Sequence, residues 1–408
     1  MNSTVIIFLL VYLAMALGKL PGLKVDRTGA ALIGALGMLI LGDISGTEAW
    51  NSISYTSLGL LFGLMVVSGA FSISGFYNWA AQYVATLKVS PPILLAILIA
   101  TSGILSSVLT NDVVVVAMTP LLISLTLARG LNPIPFVLGF CFAANTGSAG
   151  TLIGSPQNMI IAQQLNLSFI DLLKVAGIPA LLSLFIVWFT ITLLYRNRWL
   201  LSQPKKTTIT PQQPILNKIE TLKALLVTIA VIIAFIANIW PQAIVALSGA
   251  ALLLMNRKIS SNDVLKEVDY NLLILIMSLF VVNAAMSKTG LPQELLGDLK
   301  NIGLNLNEPL SLFFSSAILS NIVGNNPAVM LLTPYLHIGE NTNSLGAALV
   351  LGTGFSSNLI VFGSLAGIIA VEQSARHGVT ISFLEFAKAG IPVALLCLAM
   401  ASAWILFL

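Results

Sequence analysis

Apolar runs separated by short polar interruptions occupy this chain from position 5 to its last residue. Each is long enough for a helix to cross a hydrocarbon layer of roughly 30 Å. In the first half the pattern predicts helices over 5–17, 28–42, 56–74, 91–110 paired with 112–128, 133–165 and 175–195. A further span follows position 224, and the second half then predicts 241–256, 270–288, 309–324 paired with 326–338, 343–375 and 388–408. The run at 5–17 has no basic segment before it and no small-residue cleavage site after it, so it reads as a membrane helix rather than a secretory leader. One long polar stretch, 196–223, carries Lys205, Lys206 and three prolines and reads as a cytoplasmic connector. The expected organisation is a first helix and loop (1–27), a transmembrane repeat (28–195), the connector (196–223), and a helix plus a second repeat (224–408).

The two halves are related. An offset of 215 residues aligns 44–76 with 259–291, and 11 of the 33 aligned pairs are identical, among them Ser45 with Ser260, Tyr55 with Tyr270 and Gly75 with Gly290. An offset of 214 pairs Asn111 with Asn325 and Thr119-Pro120 with Thr333-Pro334; one of 213 pairs Gly177-Ile178-Pro179 with Gly390-Ile391-Pro392.

Composition agrees with immersion in lipid: 57% of residues are hydrophobic and 8% charged, against about a quarter charged in soluble domains. The net charge of +4 is spread loop by loop, which argues against nucleic acid. Of the 19 lysines and arginines, all but Lys174, Lys288 and Lys300 fall on one face once the spans alternate. By the positive-inside rule that face is cytoplasmic and the N-terminus is outside, in a cell membrane, inner or plasma. The same alternation gives the halves opposite orientation, so the fold class is an all-α polytopic membrane protein of two inverted-topology repeats. Such repeats build secondary transporters, because two related folds of opposite sense share a mid-membrane site with two exchangeable openings. Cys141 and Cys397 lie in apolar runs and read as packing residues, not as a disulfide or zinc site.

Polar groups inside apolar runs carry the chemistry, because hydrocarbon does not solvate them. LTNDVVVVAMTP (109–120) and VGNNPAVMLLTP (323–334) each join two apolar runs through a few polar residues, too short for a solvated loop. Each reads as a re-entrant helical hairpin whose tip, Thr110-Asn111-Asp112 or Asn325-Asn326, stops inside the membrane; two complete spans with a tight surface turn are the alternative. NTGSAGTLIGSPQN (145–158) and GFSSNLIVFGS (354–364) read as breaks in transmembrane helices. An unbroken helix over 133–165 would be about 50 Å long. Freed carbonyls and hydroxyls at such breaks suit a cation, and half-helix N-termini suit an anion. The expected substrate and ion site is therefore Thr110, Asn111, Asp112, Asn145, Thr146, Ser148, Thr151, Gly154, Ser155 and Asn158 from the first half. From the second it is Asn321, Asn325, Asn326, Ser356, Ser357, Asn358, Gly363 and Ser364. Asp112, a deep carboxylate aligned with Asn326, is the expected coupling residue.

The stretches TNDVVVVAMTP (110–120), GTLIGSPQN (150–158), GNNPAVMLLTP (324–334) and FGSLAGIIAVEQSARHGVTISF (362–383) resemble the ion transporter superfamily. Within it the chain is similar to the arsenite permeases, the citrate-transporter-like anion permeases and the sodium/proton antiporters of the same fold. The tips Thr-Asn-Asp and Gly-Asn-Asn depart from the Ser-Asn-Thr signature of the sodium/dicarboxylate symporters. The resemblance implies two re-entrant hairpins and two interrupted helices meeting at one site, with elevator-like or related alternating access.

The resulting expectation is secondary transport of a small inorganic anion or arsenite-like solute, coupled to protons through Asp112. The alternatives are sodium/proton antiport and sodium-coupled carboxylate symport. No lysine or arginine lies in either site segment, so an anion would rely on helix ends and a co-bound cation. An intramembrane enzyme lacks a base: His337 and His377 sit at helix ends, and no second deep carboxylate pairs with Asp112. Expected partners are the bilayer and a small solute, with H+ or Na+ as coupling ion and no other metal or cofactor. A homodimer and an ATPase docked on the connector are both compatible with the sequence.

Overall fold

The computed structural model describes residues 3–20, 22–201, 216–301 and 303–408. Among them the first half forms α1 (Ser3–Leu17), α2 (Arg27–Ile40), α3 (Gly46–Ser52), α4 (Tyr55–Ile73), α5 (Phe76–Thr86), α6 (Pro91–Val108), α7 (Asn111–Ala128), α8 (Pro133–Ser148), α9 (Pro156–Gln164) and α10 (Phe169–Leu194). The second half forms α11 (Lys218–Ala237), α12 (Gln242–Leu254), α13 (Ser261–Leu265), α14 (Tyr270–Ser287), α15 (Leu291–Asn301), α16 (Pro309–Val323), α17 (Asn325–Leu332), α18 (Thr342–Ser356), α19 (Leu365–Arg376) and α20 (Phe383–Ile405). Element for element, the second ten repeat the first. Of the described helices, α4, α6, α7, α10, α11, α14 and α20 are long and apolar enough to cross a membrane, and α1, α2, α12 and α16 are shorter apolar ones.

The residues identical between the halves perform the same local tasks. Ser45 caps α3, accepting from the Glu48 amide, and Ser260 caps α13, accepting from the Asp263 amide. Gly75 and Gly290 end α4 and α14 in the left-handed region, at φ 78° and 75°, where a side chain is disfavoured. Prolines at the first helical turns of α6, α8, α9 and α16 start helices where no amide donor is missed.

Several boundaries differ from the sequence pattern. α10 starts at Phe169 and α20 at Phe383, earlier than expected, because Ser168 with Asp171 and Ser382 with the Glu385 amide cap the helices ahead of their apolar stretches. α11 starts at Lys218, inside the stretch read as connector, capped by Asn217; Lys205 and Lys206 lie outside the described residues. The short helices α3, α5, α13 and α15 carry too few residues or too mixed a face for hydropathy to reveal them.

Two bodies result. α12 packs on α4 and α14 on α2, with α1 and α11 alongside, forming a frame. Each hairpin packs on the broken helix of its own half, α6 and α7 on α8 and α16 on α18, while α10 and α20 close this second body. Leu181 and Phe185 on α10 and Leu226 on α11 are exposed, as on a lipid-facing surface. Buried hydroxyls return to their own helices: Thr228 donates to Ala224 O and Thr353 to Leu349 O.

Candidate functional site

The chain between α6 and α7 turns at Leu109-Thr110, both buried. The turn lies against the interruption between α8 and α9, a helix pair that together makes one crossing: the Asn111 amide donates to Gly154 O at 3.0 Å. The tip therefore sits at the depth of the break, as a re-entrant hairpin requires. Thr151 reinforces the contact by donating to Ser107 O and accepting from the Gly154 amide at 3.2 Å. Asn158 crosses the interruption, its Nδ2 donating to Ser148 O and Thr151 O at 2.9 and 2.8 Å. Ser148 donates to Asn145 O and Thr146 to Phe142 O, within α8.

In the second half Asn325 Nδ2 donates to Ser357 Oγ at 2.9 Å, joining the tip between α16 and α17 to the end of α18. Asn321 donates to Ser356 O at 3.1 Å, and Ser356 Oγ lies 3.0 Å from Ser320 Oγ. α20 crosses this break at Gly390, where a Cβ would overlap Asn358 O.

Asn145 ties the halves together. Its Oδ1 accepts from Asn111 Nδ2 at 3.4 Å, and its Nδ2 donates to Asn358 Oδ1 at 2.9 Å and Ser364 Oγ at 3.0 Å. Asn358 Nδ2 continues to Phe142 O at 3.2 Å. Buried polar groups this fully paired hold a fixed geometry.

A cavity of about 300 Å³ opens in front of this network. Of the residues anticipated from sequence, Asn111, Asp112, Asn325, Asn326, Gly363 and Ser364 line it. Thr110, Asn145, Thr146, Ser148, Thr151, Gly154, Ser155, Asn158, Ser356, Ser357 and Asn358 do not; they form the packed support behind the wall, while Asn321, which braces Ser356 O, is half-buried and lines a neighbouring cavity beside Arg27 and Phe362. Several support oxygens have no protein partner: Thr110 Oγ1, Ser155 Oγ, Asn158 Oδ1 and Asn321 Oδ1, together with Asn325 Oδ1 and Asn326 Oδ1 at the second tip. Unpaired buried oxygens cost free energy unless something coordinates them or donates to them.

Sequence reasoning missed the remaining polar wall: Arg27 and Thr28 at the start of α2, Gln157 in α9, and Asp269 and Asn271 at the start of α14. The two pairs of site segments themselves hold no lysine or arginine, but Arg27, from outside them, brings a cationic side chain to the cavity wall. Asp269 adds a second carboxylate to the cavity wall, but an exposed one and not a deep partner for Asp112; its Oδ1 caps α14 by accepting from the Leu272 amide at 3.0 Å. Both lie at helix starts outside the apolar runs, so hydropathy gave no signal. The cavity consequently collects the N-terminal ends of α2, α7, α9, α14, α17 and α19, a concentration of partial positive charge.

Inverted repeats, paired hairpins and broken helices around a polar cavity define a multi-pass membrane transporter of the ion transporter superfamily. The chain belongs to the citrate transporter family: residues 10–339 match the family described as "Citrate transporter". An uncharacterized transporter, slr0753 of Synechocystis sp., is 29% identical, with 94% of each chain covered. The silicon efflux transporter LSI3 of Oryza sativa subsp. japonica is 25% identical over 88% of this chain and 87% of its own. A putative transporter arsB of Dictyostelium discoideum is 32% identical over 39% of this chain and 28% of its own. The crystal structure of the Alcanivorax borkumensis YdaH transporter has a similar fold, with a TM-score of 0.52 and 13% identity, covering 99% of this chain and 98% of that one. The family resemblance read from the motifs is thus borne out.

Proposed function

We propose that this protein is a secondary active transporter that moves a small inorganic anion or an arsenite-like solute by alternating access, coupled to protons through Asp112. The observation that carries the reading is the cavity itself: it joins both hairpin tips, one with a half-buried carboxylate, at the depth where each half's helix is broken. Its volume suits a solute of a few heavy atoms. Amides at helix starts and the side chains of Asn111, Asn325, Asn326 and Ser364 can bind the oxygens of an oxyanion or of an undissociated hydroxide. The relatives named for silicon efflux and as arsB favour such an oxygen-rich solute, and the citrate family favours an anionic one.

Asp112 gives the coupling a sign. An ionised carboxylate repels an anion held in the same cavity, so anion binding favours the protonated carboxyl, and anion and proton travel together. The distribution of basic loops along the chain supports a cytoplasmic position for the end where α2 and α14 begin, with the N-terminus outside and the site open inward in a cell membrane.

A second reading, with Na+ as the coupling ion, is favoured by the unpaired oxygens of Thr110, Ser155 and Asn158 around the first break. Such neutral oxygens suit a hard cation. The test is flux in proteoliposomes of arsenite, phosphate, sulfate and citrate under imposed pH or sodium gradients. A pH gradient is expected to drive one of them; flux driven only by sodium selects the second reading, and no gradient-driven flux of any removes both.

A further inference from the structure

Arg27 is the first residue of α2, and topology alone accounts for a basic residue at that depth. Its surroundings say more. The carboxylate of the preceding Asp26 is committed to capping α2, accepting from the Gly29 amide at 2.8 Å, and among the described residues Arg27 has no ion pair. Its Nε donates to Met15 O at 2.9 Å, one of the last carbonyls of α1. That bond fixes the plane of the guanidinium and leaves both terminal nitrogens without an acceptor among the described residues. Nη1 lies beside the second hairpin tip, 3.8 Å from where a Cβ on Gly324 would sit. The residues that share the cavity there, Asn325 and Asn326, each have an unpaired Oδ1. An anchored, half-buried guanidinium with two free N–H edges at a hairpin tip has the geometry of an anion clamp.

The inverted repeat supplies a control. α12 is the counterpart of α2 and begins on Gln242, which is neutral and occupied: its Oε1 accepts from Gln163 Nε2 at 2.6 Å and its Nε2 donates to Leu167 O at 3.1 Å. Those bonds join α12 of the frame to α9 and the residues after it, on the face away from the cavity's opening. The two openings of the transport path are thus chemically unlike at equivalent positions, a cation in one and a hydrogen-bonded amide in the other.

We propose that Arg27 clamps the anionic oxygens of the solute against the second hairpin tip, and that it does so only when the site opens toward the basic-loop face. Arg27 belongs to the frame, whereas Gly324 and Asn325 belong to the hairpin, so movement of the hairpin past the frame breaks the contact. This deepens the transport reading above and rests on it: the solute binds as an oxyanion or carboxylate, and its affinity is higher on the basic-loop side than on the other.

The test uses the full chain in proteoliposomes of known sidedness, with labelled citrate, phosphate and arsenite as probes. KM is measured from each face at pH 7. Arg27→Gln is expected to raise KM from the basic-loop face about ten-fold or more, as loss of a charge-assisted bidentate contact does, while KM from the other face stays within about two-fold. Arg27→Lys, which keeps the charge and loses the fork, is expected to fall between, and its elution as a monodisperse species controls for folding. Equal changes at both faces, no change at either, or wild-type flux confined to uncharged arsenite with no sensitivity to Arg27→Gln would overturn the clamp. A wild type that moves none of the probes under any gradient overturns the transport reading itself.

Discussion

Asn145 Nδ2 lies 2.9 Å from Asn358 Oδ1, and this hydrogen bond joins the broken helix of one half to that of the other. α8 and α18 begin, and α9 and α19 resume, at a constant offset of 209 residues. That offset carries the pair Asn145 and Asn358 onto Gly354 and Ala149. These also meet: a Cβ on Gly354 would be 2.8 Å from Ala149 Cβ. The two-fold relation of the repeats thus holds for the backbone, while one copy of the contact is polar and the other is a close approach of small residues.

Asn145→Ala removes three side-chain hydrogen bonds and leaves the Asn358 and Asn111 amides short of partners. A loss of about 1–3 kcal/mol is expected for each buried polar group left unpaired. Thermal unfolding in detergent should show a clear drop in Tm. Because the partners share one network, Asn145→Ala with Asn358→Ala should cost less than the sum of the single changes; strict additivity would mean the bond between them contributes nothing.

Asp112→Asn mimics the protonated carboxyl. The variant is expected to retain solute exchange between preloaded and external pools while losing acceleration by a pH gradient. Counterflow and gradient-driven uptake measured on one proteoliposome preparation separate the two. Undiminished pH-driven uptake would remove Asp112 from coupling.

The four polar segments were legible in the sequence for the reason that makes them functional: hydrocarbon penalises Asn111, Asp112, Asn145 and Asn326 unless a site or a network receives them. The repeat was legible because caps such as Ser45 and Ser260, and the helix-ending Gly75 and Gly290, admit few substitutes. What stayed hidden depends on long-range packing. Nothing local distinguishes Arg27 from the loop arginine at 257, and only the meeting of α1, α2 and the second hairpin brings it to the cavity. Nor does spacing reveal that Asn158 and Asn358 brace the backbone instead of facing solute.

On the face opposite the cavity's opening, Lys288 Nζ lies 2.8 Å from Glu48 Oε1, linking the end of α14 to α3. Lys288, followed by the Ser45 amide and hydroxyl, holds the Glu48 carboxyl down from its ordinary 4.5 to about 2. A group depressed on folding contributes stability that is present above the unfolded pKa and is lost as pH falls through the folded one. The Tm difference between wild type and Glu48→Gln should therefore be small but constant above pH 5 and shrink between pH 4.5 and 2. Both side chains are about half exposed, 48% and 49%, so added salt should reduce the difference at every pH.

The frame also grips the second hairpin, through Asn283 of α14. Pro334 follows α17 and has no amide to give Met330 O, the acceptor four residues earlier. Asn283 of α14 fills that role, its Nδ2 donating to Met330 O at 3.0 Å while its Oδ1 accepts from Tyr12 of α1 at 2.9 Å. Position 68, the repeat counterpart of 283, is a serine that instead lies 3.0 Å from Tyr77 Oη, so that position does not repeat the grip on the first hairpin. Asn283→Ala strands both the carbonyl and the tyrosine hydroxyl inside the bundle and should cost about 1–3 kcal/mol for each. Pro334→Ala restores an amide that can reach Met330 O along the helix. Asn283→Ala should therefore be less damaging in a Pro334→Ala background than in the wild type, as read by Tm. An equal cost in both backgrounds would show that Asn283 stabilises the protein through Tyr12 alone and leaves the hairpin free of the frame at that point.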